Sequence, residues 1–147
     1  MIPQWQRRIL RGFLLVVLLT SCSGQTRSVP TPTLTGPARY VGVYSLVDAA
    51  GTRHEFIRIT EENGQLYGEG KSNGAWGTKR LLTPTSEDDN RKYFGTQWQD
   101  IVITGMRNDG FGFFHVNVTP GLHIKGVPIG SEYVVLSILG VTPVYKE

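Results

Sequence analysis

The hydrophobic pattern divides the chain into one unbroken apolar run near its start and a long region of short apolar runs after it. The first run extends from Phe13 to Leu19. From residue 39 onward, β-branched and aromatic residues stand in short runs separated by Gly, Asn and Asp, which is typical of consecutive antiparallel strands. Helical periodicity is not convincing in any segment. The pattern predicts one all-β domain over residues 39–147.

Two tight turns and several apolar runs give the predicted strand count. Asn63-Gly64 interrupts "FIRITEENGQLYGEG", and Asp109-Gly110 joins "DIVITGM" to "FGFFHVNV". The further predicted strands are "RYVGVYSLV", "AWGTKRLL", "RKYFG", "LHIKGV", "EYVVLSIL" and "VTPVY". A total of roughly eight or nine antiparallel strands fits a barrel-like fold, which we favour, or a two-sheet sandwich.

Three segments refine this picture. "YVGVYSLV" resembles the glycine- and aromatic-containing strand that opens lipocalin-like folds. "SEYVVLSILGV" is apolar on both faces, which predicts a strand buried on both sides and leaves a short amphipathic helix as the alternative. The polar stretch "TPTSEDDN", residues 83–90, is predicted to be an exposed loop.

The first residues have the layout of a secretory signal peptide. Arg7, Arg8 and Arg11 precede the apolar run without any acidic residue, and small residues follow it. A helix needs about 20 apolar residues to cross the hydrocarbon core of a membrane, so the run is too short for a permanent transmembrane helix. We therefore predict a signal peptide over residues 1–21.

The residues around the single cysteine carry a family resemblance. Leu19, Thr20, Ser21 and Cys22 resemble the lipobox of bacterial lipoproteins, and the resemblance covers residues 1–24 only. It implies cleavage before Cys22 and acylation of that cysteine by chains such as palmitate, which would anchor the protein to a membrane. Ser23 is not the aspartate associated with inner-membrane retention, so the resemblance implies the periplasmic face of the outer membrane. An incidental cysteine in an ordinary signal peptide is the alternative.

Residues 22–38 and the charge balance narrow the function classes further. The segment after Cys22 is rich in Thr, Pro, Ser and Gly, which predicts a flexible tether. The chain has a formal charge of +3, but removing the three signal-peptide arginines from its 15 Lys and Arg leaves 12, equal to its 12 Asp and Glu. Without a basic stripe, nucleic acid is not an expected partner.

Catalytic and metal-binding motifs are not recognisable. "GEGKS" lacks the first glycine of a P-loop, and Ser131 stands in no nucleophile elbow. His115 and His123 are the weak metal candidates, because they could face each other across the turn at Pro120-Gly121 and take an acid as third ligand. Their spacing matches no metal motif, so we expect neither a metal nor another cofactor.

Aromatic residues are the remaining candidates for binding. Alternation along a strand places Phe111, Phe113 and His115 on one face and Phe114 on the other, so at least one face is core. Trp76 and Trp98 have polar neighbours, which makes them the weak candidates for exposed binding residues.

These observations predict a lipid-anchored cell-envelope protein that binds rather than catalyses. In the favoured hypothesis the domain docks on another envelope protein, which predicts an exposed apolar or aromatic patch and no deep cavity. In the alternative the barrel interior carries a small apolar ligand such as a lipid, which requires a lined cavity. A hydrolase or metal-dependent enzyme is the third hypothesis and requires titratable residues clustered in a cleft.

Overall fold

The computed structural model describes residues 36–147. The predicted signal peptide, the lipobox with Cys22, and most of the predicted tether lie outside the described residues. The strands are, in chain order, β1 (Gly42–Val47), β2 (Arg53–Glu62), β3 (Gln65–Ser72), β4 (Ala75–Trp76), β5 (Arg80–Pro84), β6 (Val102–Arg107), β7 (Phe111–Val116), β8 (His123–Ile124), β9 (Val127–Pro128), β10 (Tyr133–Ser137) and β11 (Gly140–Lys146).

Eight of these strands close into an antiparallel barrel. The order around the wall is β1, β2, β3, β5, β6, β7, β10 and β11, and β11 pairs with β1 to complete the circle. Strand β4 adds to β3 outside the wall, and β8 and β9 form a separate small hairpin. The predicted all-β, barrel-like architecture is confirmed, and the sandwich alternative is not the one observed.

The hairpin turns follow from residues that tolerate positive φ. Asn63 and Gly64 adopt φ values of 52° and 77°, as predicted for a tight turn between β2 and β3. Asn73-Gly74 has nearly the same backbone, with φ values of 50° and 78°. The predicted turn at Asp109-Gly110 is present, but the side chain of Asn108 organises it by accepting hydrogen bonds from the N–H groups of Gly110 (2.8 Å) and Phe111 (3.0 Å).

Two helices occupy a region for which the hydrophobic pattern predicts a loop and a strand. Helix α1 spans Glu87–Phe94 and α2 spans Trp98–Ile101, so the exposed loop predicted over residues 83–90 and the strand predicted at "RKYFG" are both wrong. The cause is a capping box, in which the Ser86 hydroxyl accepts from the Asp89 N–H and the Asp89 carboxylate accepts from the Ser86 N–H. Neither helix is long and apolar enough to cross a membrane, and the same holds throughout residues 36–147.

Aromatic and aliphatic side chains fill the inside of the barrel. The ring centroids of Tyr44 and Phe113 lie 4.8 Å apart, and the centroid of the Tyr133 ring lies 5.2 Å from that of Tyr44. The buried residues of this cluster are Tyr40, Tyr44, Ile57, Ile59, Leu66, Leu82, Met106, Phe113, Val135 and Val144. The barrel is therefore a packed core.

A second apolar layer lies outside the wall, beneath the helices and the β8–β9 hairpin. Phe114 and Val116 of β7 and Val134 and Leu136 of β10 pack there against residues such as Ile101. Strand β10 is thus buried on both faces, which confirms the strand interpretation of "SEYVVLSILGV" over the helical alternative.

Candidate functional site

The two histidines named as weak metal candidates lie in different parts of the fold. His115 is inside the barrel, where it is 8% exposed and its ring stacks 5.2 Å from that of Tyr133. His123 is exposed in β8, with its Nδ1 2.7 Å from the carbonyl oxygen of Gly121. The pairing is wrong because β7 has β6 and β10 as neighbours, whereas β8 pairs only with β9. Within residues 36–147, no three His, Cys, Asp or Glu side chains are grouped as metal ligands would be.

Ser131 and the "GEGKS" segment have structural positions. The buried Ser131 hydroxyl donates to the Val144 carbonyl and accepts from the Tyr133 N–H, so it ties the start of β10 to β11. Residues 68–72 lie within β3, where no helix N-terminus follows. Neither arrangement resembles a nucleophile or a phosphate cradle.

The two tryptophans are half-buried rather than exposed. Trp76, on β4, has the guanidinium of Arg58 4.5 Å and the ammonium of Lys71 5.1 Å from its ring centre. Arg58 also donates to the buried Glu69 carboxylate through Nε (3.0 Å) and Nη2 (2.8 Å). The Trp76 ring is therefore engaged by cations of its own chain. Trp98 begins α2 and is partly covered as well.

The most exposed large apolar side chains lie at the turn between β10 and β11. Ile138 is 99% exposed and Leu139 is 94% exposed, whereas the other exposed large aliphatic residues between positions 36 and 147 reach at most 49%. The turn is held by the Ser137 hydroxyl, which accepts from the Leu139 N–H at 3.1 Å, and by Gly140 at φ 119°. We call Ile138 and Leu139 the apolar tip. Sequence reasoning missed it because both residues extend an apolar strand, and the only signal was the Ser and Gly on either side.

A 3₁₀ helix, Gly36–Tyr40, packs near the start of β1, at the other end of β11 from the apolar tip. The Tyr44 hydroxyl donates to the Tyr40 carbonyl (2.7 Å), and the Tyr40 hydroxyl is hydrogen-bonded to that of Thr104. Lys146 Nζ donates to the Arg39 carbonyl at 2.8 Å. The predicted boundary between tether and domain, at residues 38 and 39, falls within this helix.

Arg39 carries a charge without a partner in this part of the fold. It forms no ion pair with any residue from 36 to 147, and its Nε is buried without a hydrogen bond. Burial lowers the pKa of His115, and the Arg39 charge lowers it further. Burial likewise lowers the pKa of Lys146, with the same contribution from Arg39. The positive potential around Arg39 is therefore uncompensated by a paired carboxylate.

A cleft of about 410 Å³ opens beside this helix. It lies where β5 ends: the strands pair at Thr83–Arg107 and Pro84–Met106, the Thr85 N–H donates to the Gly105 carbonyl (2.9 Å), and the chain then enters α1. We call it the mouth cleft and define it by six of its lining residues: Pro37, Arg39, Tyr40, Asn90, Ile103 and Met106.

Comparison with known proteins gives no match that could identify these sites. No family model, no curated protein and no solved structure matches the chain. The apolar tip and the mouth cleft are therefore interpreted from their own chemistry.

Proposed function

We propose that this chain is a lipid-anchored cell-envelope protein whose barrel is a non-catalytic docking module for another envelope protein. The anchor rests on the resemblance of residues 19–22 to a lipobox, with Cys22 as the acylated residue. The docking role rests on one observation, the nearly complete exposure of Ile138 and Leu139 at an ordered turn.

The apolar tip has the energetics of a binding anchor. Burying one large aliphatic side chain contributes about 1.5–3 kcal/mol, so burying both would contribute about 3–6 kcal/mol. Binding energy in protein interfaces is concentrated in a few such residues, surrounded by contacts that exclude water. Because Ile138 and Leu139 are adjacent on a hydrogen-bonded turn, a complementary pocket on a partner can bury both side chains together.

The composition of the hairpin favours a protein pocket over a bilayer. The β10–β11 hairpin contains no Lys or Arg from Tyr133 to Tyr145. Segments that lie in a membrane interface usually combine apolar residues with basic ones that attract anionic lipids. The one basic residue of the tip's own hairpin, Lys146, lies at the opposite end of β11 from the tip.

The core and the polar groups support docking over the other two hypotheses. An apolar ligand along the barrel axis would have to displace the packed rings of Tyr44, Phe113 and Tyr133. The polar side chains that sequence reasoning considered for chemistry serve structural hydrogen bonds or are separated in space, as with Ser131 and the two histidines. These features favour a module that binds through its surface.

The docking proposal is tested by placing a photo-crosslinking amino acid at Leu139 in the native cells. The matched position is Glu61, which is exposed near the β2–β3 turn and therefore away from the tip. We expect one envelope protein to be crosslinked from position 139 and not from position 61. Identical products from both positions, or products with lipid alone from position 139, would contradict docking through the tip.

The anchor is tested separately with Cys22→Ala. We expect the wild-type chain to incorporate a labelled palmitate analogue and to sediment with membranes, and the variant to do neither. A variant that still incorporates the label would show that Cys22 is not the attachment point.

A further inference from the structure

We infer that the mouth cleft binds a single-chain amphiphile with a carboxylate head, of the class of medium-chain fatty acids. This site is separate from the apolar tip, and it goes beyond the docking role. The inference rests on the shape of the cleft, its apolar walls, and the unpaired polar groups of Arg39 and Asn90.

The cleft has the size and lining of a small-molecule site. Its volume of about 410 Å³ lies within the usual range for such sites, and the mouth of a barrel is a common place for them. Pro37, Ile103 and Met106 provide apolar wall, together with the ring of Tyr40. Ile103 is 49% exposed because the β6–β7 register shifts between Val102 and Thr104. An alkyl chain in the cleft would cover this side chain and gain from removing apolar surface from water.

The polar part of the cleft selects the head group. Arg39 has an uncompensated charge and a buried Nε without a partner, and Asn90 is only 8% exposed with an Oδ1 that has no partner in residues 36–147. Buried polar groups are almost always hydrogen-bonded, so two unpaired groups on one cleft indicate that a ligand satisfies them. A planar guanidinium matches a planar carboxylate, and a 180° rotation of the Asn90 amide places its NH₂ donor where Oδ1 has no partner, so that it can donate to the same carboxylate.

The surrounding charges also favour an anion. Lys146 donates to the Arg39 carbonyl and brings a second cation close to the cleft. Glu132 acts on His115, but neither it nor any other acid is among the residues that line the cleft. One guanidinium and one amide supply enough donors for the two oxygens of a single carboxylate, whereas a phosphate presents more oxygens to be satisfied.

The test uses the full chain in its own membranes and a decanoate that carries a photoactivatable diazirine. The matched probe is the corresponding decanol, which has the same chain and a neutral head. We expect decanoate to label peptides containing residues 36–40 or 103–106, excess unlabelled decanoate to compete, and decanol to label these peptides about tenfold less, because it lacks the charge-assisted bond.

Two variants test the two halves of the site. Arg39→Gln removes the charge and should make decanoate and decanol label equally weakly. Ile103→Trp fills the cleft from a half-exposed position and should reduce labelling by both probes. Arg53→Gln and Leu81→Trp are the matched controls, since both residues are exposed and lie outside the cleft, and they should leave labelling unchanged.

Three outcomes would overturn the inference: labelling outside the cleft, labelling that excess decanoate does not reduce, or equal labelling of the wild-type chain by acid and alcohol. None of them depends on crosslinking from position 139. Failure of the cleft site and failure of tip docking are therefore distinguishable.

Discussion

Gly105 lies directly opposite Phe114 across the β6–β7 ladder, and the Phe114 ring occupies the space that a side chain at Gly105 would need. A Cβ at Gly105 would stand 2.5 Å from Phe114 Cδ1 and 2.5 Å from the Thr85 hydroxyl oxygen. The ring is held from outside by Phe94, whose centroid is 4.7 Å away in a T-shaped arrangement. The glycine therefore lets the helices pack on the barrel.

Gly105→Ala should destabilise the fold by about 1–3 kcal/mol, because overpacking forces buried groups to shift. Gly70→Ala is the matched control, since that glycine is also in a strand and a Cβ there would meet no atom within 4 Å. Urea unfolding followed by circular dichroism measures both. Equal midpoints for the two variants would contradict the account of Phe114 packing.

The Arg58–Glu69 ion pair should matter more than an ordinary surface pair. Glu69 is 7% exposed and Arg58 is about one-third exposed at its side chain, so removing the acid leaves a partly desolvated cation. Glu69→Ala should cost on the order of 2 kcal/mol, below the range for a fully buried pair. Glu61→Ala, at an exposed position of β2, should be nearly neutral. Thermal melts of the two variants provide the comparison.

The cap of α1 should give a pH-dependent contribution to stability. Hydrogen bonding from the Ser86 N–H is the main cause that lowers the pKa of Asp89 below its ordinary value of 3.8, with Arg107 adding to it. A lowered pKa stabilises the fold above the ordinary value, and this stabilisation is lost as pH falls through the folded-state pKa. The advantage of the wild type over Asp89→Asn should therefore be complete at neutral pH and shrink in acid.

The control for this prediction is Asp88→Asn, since Asp88 is exposed one position earlier in the same helix turn. Its stability difference from the wild type should vary less with pH than that of Asp89→Asn. Denaturant midpoints across an acid series measure both differences. A constant difference between wild type and Asp89→Asn would rule out the capping carboxylate as the source.

His115 should make the fold less stable in mild acid. Burial, and then the charge of Arg39, lowers its pKa below the ordinary 6.5, although Glu132 opposes this. In mild acid the unfolded chain therefore binds a proton at His115 more readily than the native state does. The free energy of unfolding consequently falls as pH drops below 6.5. His115→Phe, which keeps an aromatic ring beside Tyr133, should flatten the pH dependence of the urea midpoint between neutral pH and about pH 5.5. An unchanged slope would contradict this.

The apolar tip should be dispensable for folding. Replacing Ile138 and Leu139 by Ser removes no buried contact, so the free energy of unfolding should change by no more than about 0.5 kcal/mol. The same double variant should lose the partner captured from the tip. A large loss of stability would show that the tip packs within its own chain.

The sequence predicted the barrel better than it predicted the features proposed for function. The alternation of residues in β7 and the Asn63-Gly64 turn were enough to predict strands there. Whether those strands form a barrel or a sandwich depends on pairings such as Ser45 with Tyr145, which join the two ends of the domain and which no local pattern encodes. The helix at residues 87–94 was missed because its capping signal is short and six of its eight residues, "EDDNRK", are polar. The Asn73-Gly74 turn carried a usable signal of the same kind as Asn63-Gly64.

The candidate sites depended on tertiary structure. The mouth cleft forms where β5 leaves β6, and the charge of Arg39 matters only because no carboxylate pairs with it in the folded domain. Whether Ile138 and Leu139 are exposed depends on where β10 ends, which an apolar run does not define. The lipobox prediction at Cys22 stays a prediction, since it lies outside the residues described.

Closure of the barrel depends on strand β11. Strand β11 fills the gap between β10 and β1, and the Glu147 N–H donates to the Val43 carbonyl at 3.0 Å. Without β11 in place, β1 and β10 each present an open edge that can pair with another chain. The contact also spans almost the whole domain in sequence, which makes it a slow one to form. A barrel in which β11 has not docked is therefore open to edge-to-edge pairing with a second chain.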